Sequence, residues 1–530
     1  MNKIKNIRVS IALVFFLVIG LFFLDFLDIL PLQLHSILHI QWVPALLYGN
    51  VLIIVFLLLL SLLFGRIFCS AICPLGIFQD ILIRIENLFR KKKKRKLRYK
   101  YRTPSNILRY SILLVTLASY LFGFSALLLW LDPYSNFGRI VSFIFRPAVM
   151  WVNNLFAGTL NAAGVYSVFE VPINTVSLLG FMAAALYLVL LVMMTVYGGR
   201  LYCNTICPVG TALGLISRFS LFKVRIDKSM CTSCGLCSMS CKSECIDSKT
   251  KEIDDSRCIS CYNCLDSCKR GGVQYQFVSP FAKPEKDSKI VPANLSSSSR
   301  RSMFKTVGIA LLGTFSTRHL WGQGLRKQNR QRRRNYGDSD PILNRKAIMP
   351  PSAGNLDDFY KKCTGCQLCT TKCPSHVLKA ASIKEYGFEG ILQPYMSYAN
   401  GFCNYNCKQC ADVCPTGALK NNLTIEEKRL IQCGVAEFRQ HLCIVITEGT
   451  SCGACSEHCP TQAVKMVPYK DGLTLPQLDK TLCIGCGGCE YICPVLPHKA
   501  IYVEGLSVQG KAKEPERGKE ETHTVDDFGF

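Results

Sequence analysis

Acidic side chains are scarce in this chain. Thirty-seven Asp and Glu stand against 62 Lys and Arg, giving a formal charge of +25 over 530 residues. Such a balance invites a nucleic-acid reading. However, the densest basic run, Arg90-Lys91-Lys92-Lys93-Lys94-Arg95-Lys96, lies between two apolar segments. There it reads as the positive-inside signal of a membrane protein, so no nucleic-acid partner is expected. Also missing is a Gly-rich dinucleotide fingerprint, because the GLGL-like stretches sit in membrane or loop contexts. No flavin or NAD site follows from them. What abounds is cysteine, with thirty residues. Disulfide scaffolds are small secreted domains without a core, whereas this chain is long enough to build cores. Its cysteines fall in tight C-x2-C-x2-C-x3-C clusters, a spacing that points to metal.

Four apolar runs, at about 9–26, 45–68, 107–130 and 175–197, are long enough to cross a bilayer. The first follows Lys3, Lys5 and Arg8. Its length and the lack of a small-x-small cleavage site make it a helix rather than a signal peptide. The expected fold is membrane α-helical, with four transmembrane helices over 1–222, joined to α+β ferredoxin-like domains. The basic run after the second helix places the 69–106 connection, the N-terminus and the segment after the fourth helix in the cytoplasm. Loops 27–44 and 131–174 then face the other side. Within the second, LDPYSNFGR (131–139) reads as an interfacial surface helix and turn.

A cysteine-clustered soluble domain is expected at 223–278, followed by a linker at 279–350. Inside that linker, Arg300-Arg301 precede a twelve-residue uncharged stretch, Thr306 to Thr317. This is short for a spanning helix, though it could be a short fifth, and about right for an export signal. The pair resembles a twin-arginine signal, with Met303-Phe304 where Phe-Leu is usual. A basic linker with a short core helix is the alternative. A second soluble domain is expected at 351–505, and a charged, glycine-containing, disordered tail at 506–530.

Cys231, Cys234, Cys237, Cys241 and Cys258, Cys261, Cys264, Cys268 repeat the two-cluster ferredoxin pattern, in which the fourth cysteine of each run ligates the other cluster. The ligand sets are then Cys231, Cys234, Cys237 with Cys268, and Cys258, Cys261, Cys264 with Cys241. Zinc sites usually take four ligands in pairs, not eight in this order. Lys242 and Lys269 stand where proline usually follows the fourth cysteine. The second domain adds four motifs: Cys363, Cys366, Cys369, Cys373; Cys403, Cys407, Cys410, Cys414; Cys443, Cys452, Cys455, Cys459; and Cys483, Cys486, Cys489, Cys493. Their nested order suggests that outer pairs with outer and inner with inner. Cys493 would complete the first cluster and Cys373 the fourth, Cys459 the second and Cys414 the third. Cys433 competes with Cys443 and otherwise reads as a buried free thiol. Six [4Fe-4S] clusters are expected, all fully thiolate-ligated. They make a conducting path rather than a bond-making centre.

Two further cysteine pairs stand apart. Residues 65–76, GRIFCSAICPLG, and 199–210, GRLYCNTICPVG, agree at seven of twelve positions. Each follows an apolar run, and charge topology puts both at the cytoplasmic ends of their helices. Cys69, Cys73, Cys203 and Cys207 are therefore candidate cofactor ligands. Three readings stay open: a seventh cubane, a redox-active or structural disulfide pair, and a packing or quinone-contact role.

Helices with paired C-x3-C-P motifs followed by a two-cluster ferredoxin resemble NapH-type membrane ferredoxins. The Arg-Arg element followed by a four-cluster domain resembles NapG-type exported ferredoxins and a methylamine-utilisation ferredoxin. The chain looks like a fusion of the two. The resemblance implies an oxidoreductase component of the bacterial inner membrane that meets membrane lipid and the quinone pool. It would oxidise quinol and pass electrons to a periplasmic redox enzyme or cytochrome, with the first ferredoxin cytoplasmic and the second periplasmic. The alternative is a redox maturation protein that supplies electrons for cofactor insertion into a partner enzyme. His35 and His39 in the first outer loop could take quinol protons or simply sit at the interface. One tension follows from this topology. A hydrocarbon core of about 30 Å between the two ferredoxins is too wide for a single hop.

Overall fold

The computed structural model describes residues 3–89, 99–173, 177–278 and 345–514. The basic run from Arg90 to Lys96, the Arg-Arg element and the last residues of the tail lie outside the described residues. The principal helices of the N-terminal part are α1 (Lys3–Leu24), α2 (Trp42–Tyr48), α3 (Val51–Phe64), α4 (Pro74–Phe89), α5 (Asn106–Leu121), α6 (Pro133–Ala162), α7 (Leu178–Gly198) and α8 (Pro208–Ser217). Asn50 caps α3 by accepting from the Ile53 N–H at 3.2 Å, and Ser177 does the same for α7 through Gly180. Gly65 and Gly199 stop α3 and α7 at φ +69° and +58°, where a side chain would be strained. At Gly199 a Cβ would also stand 2.6 Å from the Lys242 carbonyl. These glycines open the two homologous C-x3-C-P turns, so the repeated sequence produces a repeated corner.

The expected runs 9–26 and 175–197 become α1 and α7. The 45–68 run breaks at Gly49-Asn50 into α2 and α3, and the 107–130 run ends its helix at Leu121. Among the described residues three helices, α1, α6 and α7, are long and apolar enough to cross a membrane. Of these α6 is a correction, since 131–174 reads from sequence as an outer loop with a surface helix. Asp132 caps it, accepting from the Ser135 N–H at 2.8 Å, and Pro133 takes the first helical position. All of Pro133–Ile140 is buried. The polar residues that suggested a surface instead satisfy backbone groups inside the protein.

The first ferredoxin unit closes on an antiparallel pair, β1 (Phe222–Ile226) and β2 (Val273–Phe277), with Val224 opposite Tyr275. The second unit holds β3 (Leu378–Ala380) against β4 (Pro394–Met396), β5 (Ile431–Phe438) against β8 (Ile501–Lys511), and β6 (Val464–Pro468) against β7 (Thr474–Leu478). Its boundaries differ from the expected 351–505. The Met396 N–H donates to the Ile348 carbonyl, and β8 resumes its ladder after a bulge, pairing Lys511 with Ile431. The tail is therefore ordered as far as Lys511, because the bulge lets residues past 506 keep pairing.

The two units meet opposite ends of α1, about 33 Å long at 1.5 Å per residue. Lys5 pairs with Asp266 of the first unit at 2.5 Å, and Lys372 of the second pairs with Asp25 at 2.7 Å. The segments α2–α3 and α5 run between the same ends. Tyr48 bonds Asn421, whereas the Phe64 carbonyl accepts from Ser260; Arg109 bonds Ser256, whereas Ser125 donates to the Tyr360 carbonyl.

Candidate iron–sulfur centres

The standard C-x2-C-x2-C loops share one backbone device. Two and four residues after the first cysteine, φ is positive: Ser233 and Gly235, Ser260 and Tyr262, Gly365 and Gln367, Gly485 and Gly487. Alternating left-handed residues curl successive N–H groups toward one side, the concave arrangement that receives anionic sulfur. At Gly487 nothing larger fits, since a Cβ would stand 2.3 Å from the Tyr398 ring.

In the first unit, Cys258, Cys261, Cys264 and Cys241 line one apolar pocket, the set expected from spacing. Cys231, Cys234 and Cys237 act on one another electrostatically, and Cys268 packs on the same core. In the second unit the nested pairing is overturned. Cys443, Cys452, Cys455 and Cys493 line one pocket, and Cys459, Cys483, Cys486 and Cys489 line another. Cys363, Cys366 and Cys369 face Cys414, while Cys403, Cys407 and Cys410 face Cys373. Neighbouring motifs therefore exchange their fourth cysteines, giving two sequential modules rather than a nest. Crossing to the adjacent motif needs only a short strand pair between them, and β3–β4 and β6–β7 provide it. The modules join where the Cys403 N–H donates to the Cys486 carbonyl at 2.9 Å. Cys433 is buried beside this junction and is not in a cavity-lining set.

Among the described residues no three His, Cys, Asp or Glu side chains converge tightly enough for one metal ion. A single zinc would draw its sulfurs to about 2.3 Å. These thiols instead gather in sets of four around apolar pockets, the donor set of a multi-iron group. All thirty cysteines are unbridged. Burial pushes Cys366, Cys455 and Cys486 up to about 12. Ligation must therefore displace a proton that the bare site would keep at neutral pH. Cys245, a residue the motifs leave over, sits 3.5 Å from the Cys241 sulfur and also bonds Cys258. Its position is invisible to spacing rules because it follows the motif rather than belonging to it.

The two C-x3-C-P corners come together. Cys69, Cys73, Cys203 and Cys207 are each no more than 5% exposed and act on one another electrostatically. Arg66 and Arg200, both 0% exposed, cross between the repeats. Arg66 donates to the Cys203 carbonyl and Arg200 to the Cys69 carbonyl, each at 2.9 Å. Their guanidinium groups also lie 4.0 and 3.9 Å from the sulfurs of Cys69 and Cys203. Gly76 and Gly210 make room, for a Cβ at either would stand 2.3 Å from those same carbonyls. The surroundings are cationic. Asp80 meets Arg200 at 2.9 Å, Lys242 at 3.1 Å and Arg8 at 3.4 Å. Arg66 bonds Asn204, Ser256 and Cys203 but no carboxylate among the described residues. An uncompensated buried charge is costly. Four thiolates holding an iron–sulfur group would supply the missing negative charge, so the residues fit such a group.

Sequence comparisons agree with this division. A profile described as a 4Fe-4S binding domain matches residues 46–96 and 179–227, which hold the two C-x3-C-P corners. A 4Fe-4S dicluster domain matches 362–418 and 450–496, in line with sequential modules, and another dicluster profile matches 254–377. The methylamine utilization ferredoxin-type protein MauM of Methylobacillus flagellatus is 32% identical over 226 residues, 40% of this chain and 87% of the relative. The ferredoxin-type protein NapG of Escherichia coli K12 is 31% identical over 172 residues, 30% of this chain and 71% of the relative. NapF of the same strain is 29% identical over 156 residues, 29% of this chain and 85% of the relative. The chain belongs to the MauM/NapG ferredoxin-type family. No solved structure matches.

Within this MauM/NapG-type chain, one continuous apolar core includes Cys261, the four corner cysteines and Cys366. The loop carrying Cys366 is sunk into the helical part. Arg139, 3% exposed, donates to the carbonyls of Thr364 at 2.7 Å and Gly365 at 3.0 Å. A Cβ at Gly138 would stand 2.5 Å from the Cys366 carbonyl. Aromatic rings fill the interval: Phe78 to Phe137 at 6.2 Å, Phe137 to Phe23 at 6.4 Å and Phe23 to Tyr134 at 6.0 Å between centroids. Tyr202, next to Cys203, reaches the Leu131 carbonyl at 2.9 Å. Cysteines of both ferredoxin units and of the corners thus share one core, and the Cys366 loop enters the helical part through Arg139. His35 is buried edge-on against Phe22, with centroids 4.3 Å apart. Burial, then the charge of Lys372, pushes it down to about 4.

Proposed function

We propose that this protein is a multi-pass inner-membrane electron carrier that takes electrons from quinol. It relays them through six ferredoxin clusters and a seventh iron–sulfur group on Cys69, Cys73, Cys203 and Cys207 to a periplasmic redox enzyme or cytochrome. The observation that carries the reading is that those four cysteines share one core with Cys261 and Cys366. Bound iron–sulfur groups supply one-electron oxidation and reduction, which splits the two-electron chemistry of quinol into single steps. The chain's residues do the rest. The thiols hold the groups in series, α1 to α7 exclude water, and Arg139 with Lys372 fixes the second unit against the helices. The path then leads through Cys373 and Cys403 to the Cys459 set and ends at the Cys443 set. The MauM and NapG relatives, ferredoxin-type proteins by description, support the electron-carrying part of the reading. The long apolar helices and the basic run support the membrane part.

Purified, anaerobically reconstituted protein mixed with a reduced quinone analogue tests it. Reduced-cluster signals should appear by electron paramagnetic resonance. Clusters that stay oxidised would defeat quinol oxidation and leave the maturation role as the better account.

A further inference from the structure

Each repeat places an arginine three residues before its first cysteine, and each arginine binds the backbone of the other repeat. We propose that Arg66 and Arg200 form a reciprocal clasp that holds the two corners in one four-thiol site and, by their buried charge, raises that site's midpoint potential. The inference rests on the reading that the four cysteines hold an iron–sulfur group.

The geometry is symmetric where it matters. The two carbonyl bonds have the same length, 2.9 Å, and the two sulfur distances differ by only 0.1 Å. A guanidinium is suited to this task because each terminal nitrogen carries two N–H groups, so one nitrogen can bond a carbonyl and face a sulfur while the others of the planar fork hold further partners. Arg66 uses Nη2 for both the Cys203 carbonyl and the Cys69 sulfur, while its Nη1 reaches Asn204 and Ser256. Arg200 uses Nη1 for both the Cys69 carbonyl and the Cys203 sulfur, and its other nitrogens hold Asp80. The clasp therefore joins three layers: both corners, and through Ser256 and Asp80–Lys242 the first ferredoxin unit.

The charge count points the same way. Arg66 and Arg200, both 0% exposed, face the corner sulfurs directly, and the single nearby carboxylate, Asp80, is shared by Arg200 with Arg8 and Lys242. Adding an electron makes an iron–sulfur group more negative, and buried cations stabilise that state.

The test is a potentiometric titration of the full chain, read by electron paramagnetic resonance, with iron and acid-labile sulfide counted for each variant. Arg66→Gln is expected to move one midpoint to a more negative value while the ferredoxin midpoints stay in place. Arg66→Lys keeps the charge but loses the fork. It should either hold the midpoint with a broadened signal or lose only this site's iron, and both outcomes support the clasp. An Arg66→Gln and an Arg200→Lys protein that keep full iron and unmoved midpoints would overturn the inference. Should Arg66→Gln fail to fold, Arg200→Gln removes the other buried charge, and an unmoved midpoint there overturns the charge argument. Failure of the underlying reading looks different. A protein with all four cysteines changed to serine would then contain as much iron as the parent.

Discussion

Lys242 reaches out of the first ferredoxin unit to Asp80 of α4, with nitrogen and oxygen 3.1 Å apart. It occupies the position after a ligand cysteine where proline is usual. Its backbone is engaged too, for its carbonyl accepts from the Arg200 N–H at 2.9 Å. The residue that departs from the ferredoxin pattern is thus the one that docks the ferredoxin. Lys242→Pro should leave the first unit's iron content intact yet destabilise the docked state by about 1–3 kcal/mol, since Asp80 retains Arg200 and Arg8. Thermal unfolding with cluster absorbance as the probe reads it. An unchanged midpoint would remove the docking role.

The Lys372–Asp25 pair does the same at the other end. Burial works to raise Asp25, but the hydrogen bond from Lys372 and the N–H groups of Leu30 and Ile29 outweigh it and hold the carboxyl below its usual value of 3.8. Because the folded value is depressed, the stabilisation is present above that usual value and is lost as pH falls through the lower folded one. Lys372→Ala leaves a buried carboxylate unpaired and should cost about 3 kcal/mol. Limited proteolysis of the second unit measures the loss, and equal protease resistance in parent and variant would contradict it.

Sequential pairing makes a sharp distinction between two serine variants. Cys414→Ser should alter the signal of the cluster on Cys363, Cys366 and Cys369, and Cys493→Ser that of the cluster on Cys443, Cys452 and Cys455. The first of these clusters packs against α6 and the second lies at the far end of the second unit. A spin-coupling measurement against the corner site therefore separates them. Exchange of the two assignments would restore the nested pattern.

Cys245 tests how a neighbouring thiol shapes a cluster it does not ligate. Hydrogen bonds to ligand sulfurs raise a cluster's potential. Cys245→Ala should keep all iron and move the midpoint of the Cys241/Cys258 cluster to a more negative value. A parent-like titration would leave Cys245 as packing alone.

His35 has the opposite expectation. With its imidazole held at about 4 by burial and Lys372, it is neutral throughout the physiological range. Quinol oxidation by His35→Gln should show the parent's pH profile between pH 5 and 8. A group lost from that profile would show that His35 does accept a proton.

The cluster ligands were legible because three closely spaced cysteines and a fourth are a local pattern, and four of the six loops even repeat the same left-handed backbone positions. Pairing between motifs was not, because it depends on which strand pair lies between them, and β3–β4 and β6–β7 are short. The α6 helix was hidden for a related reason. Asp132, Ser135, Asn136 and Arg139 look like surface, and only the arriving loop at Thr364 and Gly365 shows what they are for. Glycine and arginine at 65–66 and 199–200 were visible as a repeat. Their reciprocal bonds were not, since symmetry between distant segments has no signature in either segment alone.

The corner cysteines carry a consequence for the order in which the protein is made. Two of the four thiols precede α5 and two follow α7, with about 130 residues between Cys73 and Cys203. The first corner emerges long before its counterpart and cannot enclose anything by itself. On the proposed reading, iron would be committed there only after α7 has been laid beside α4, so loading of this site would report that the helical part is complete.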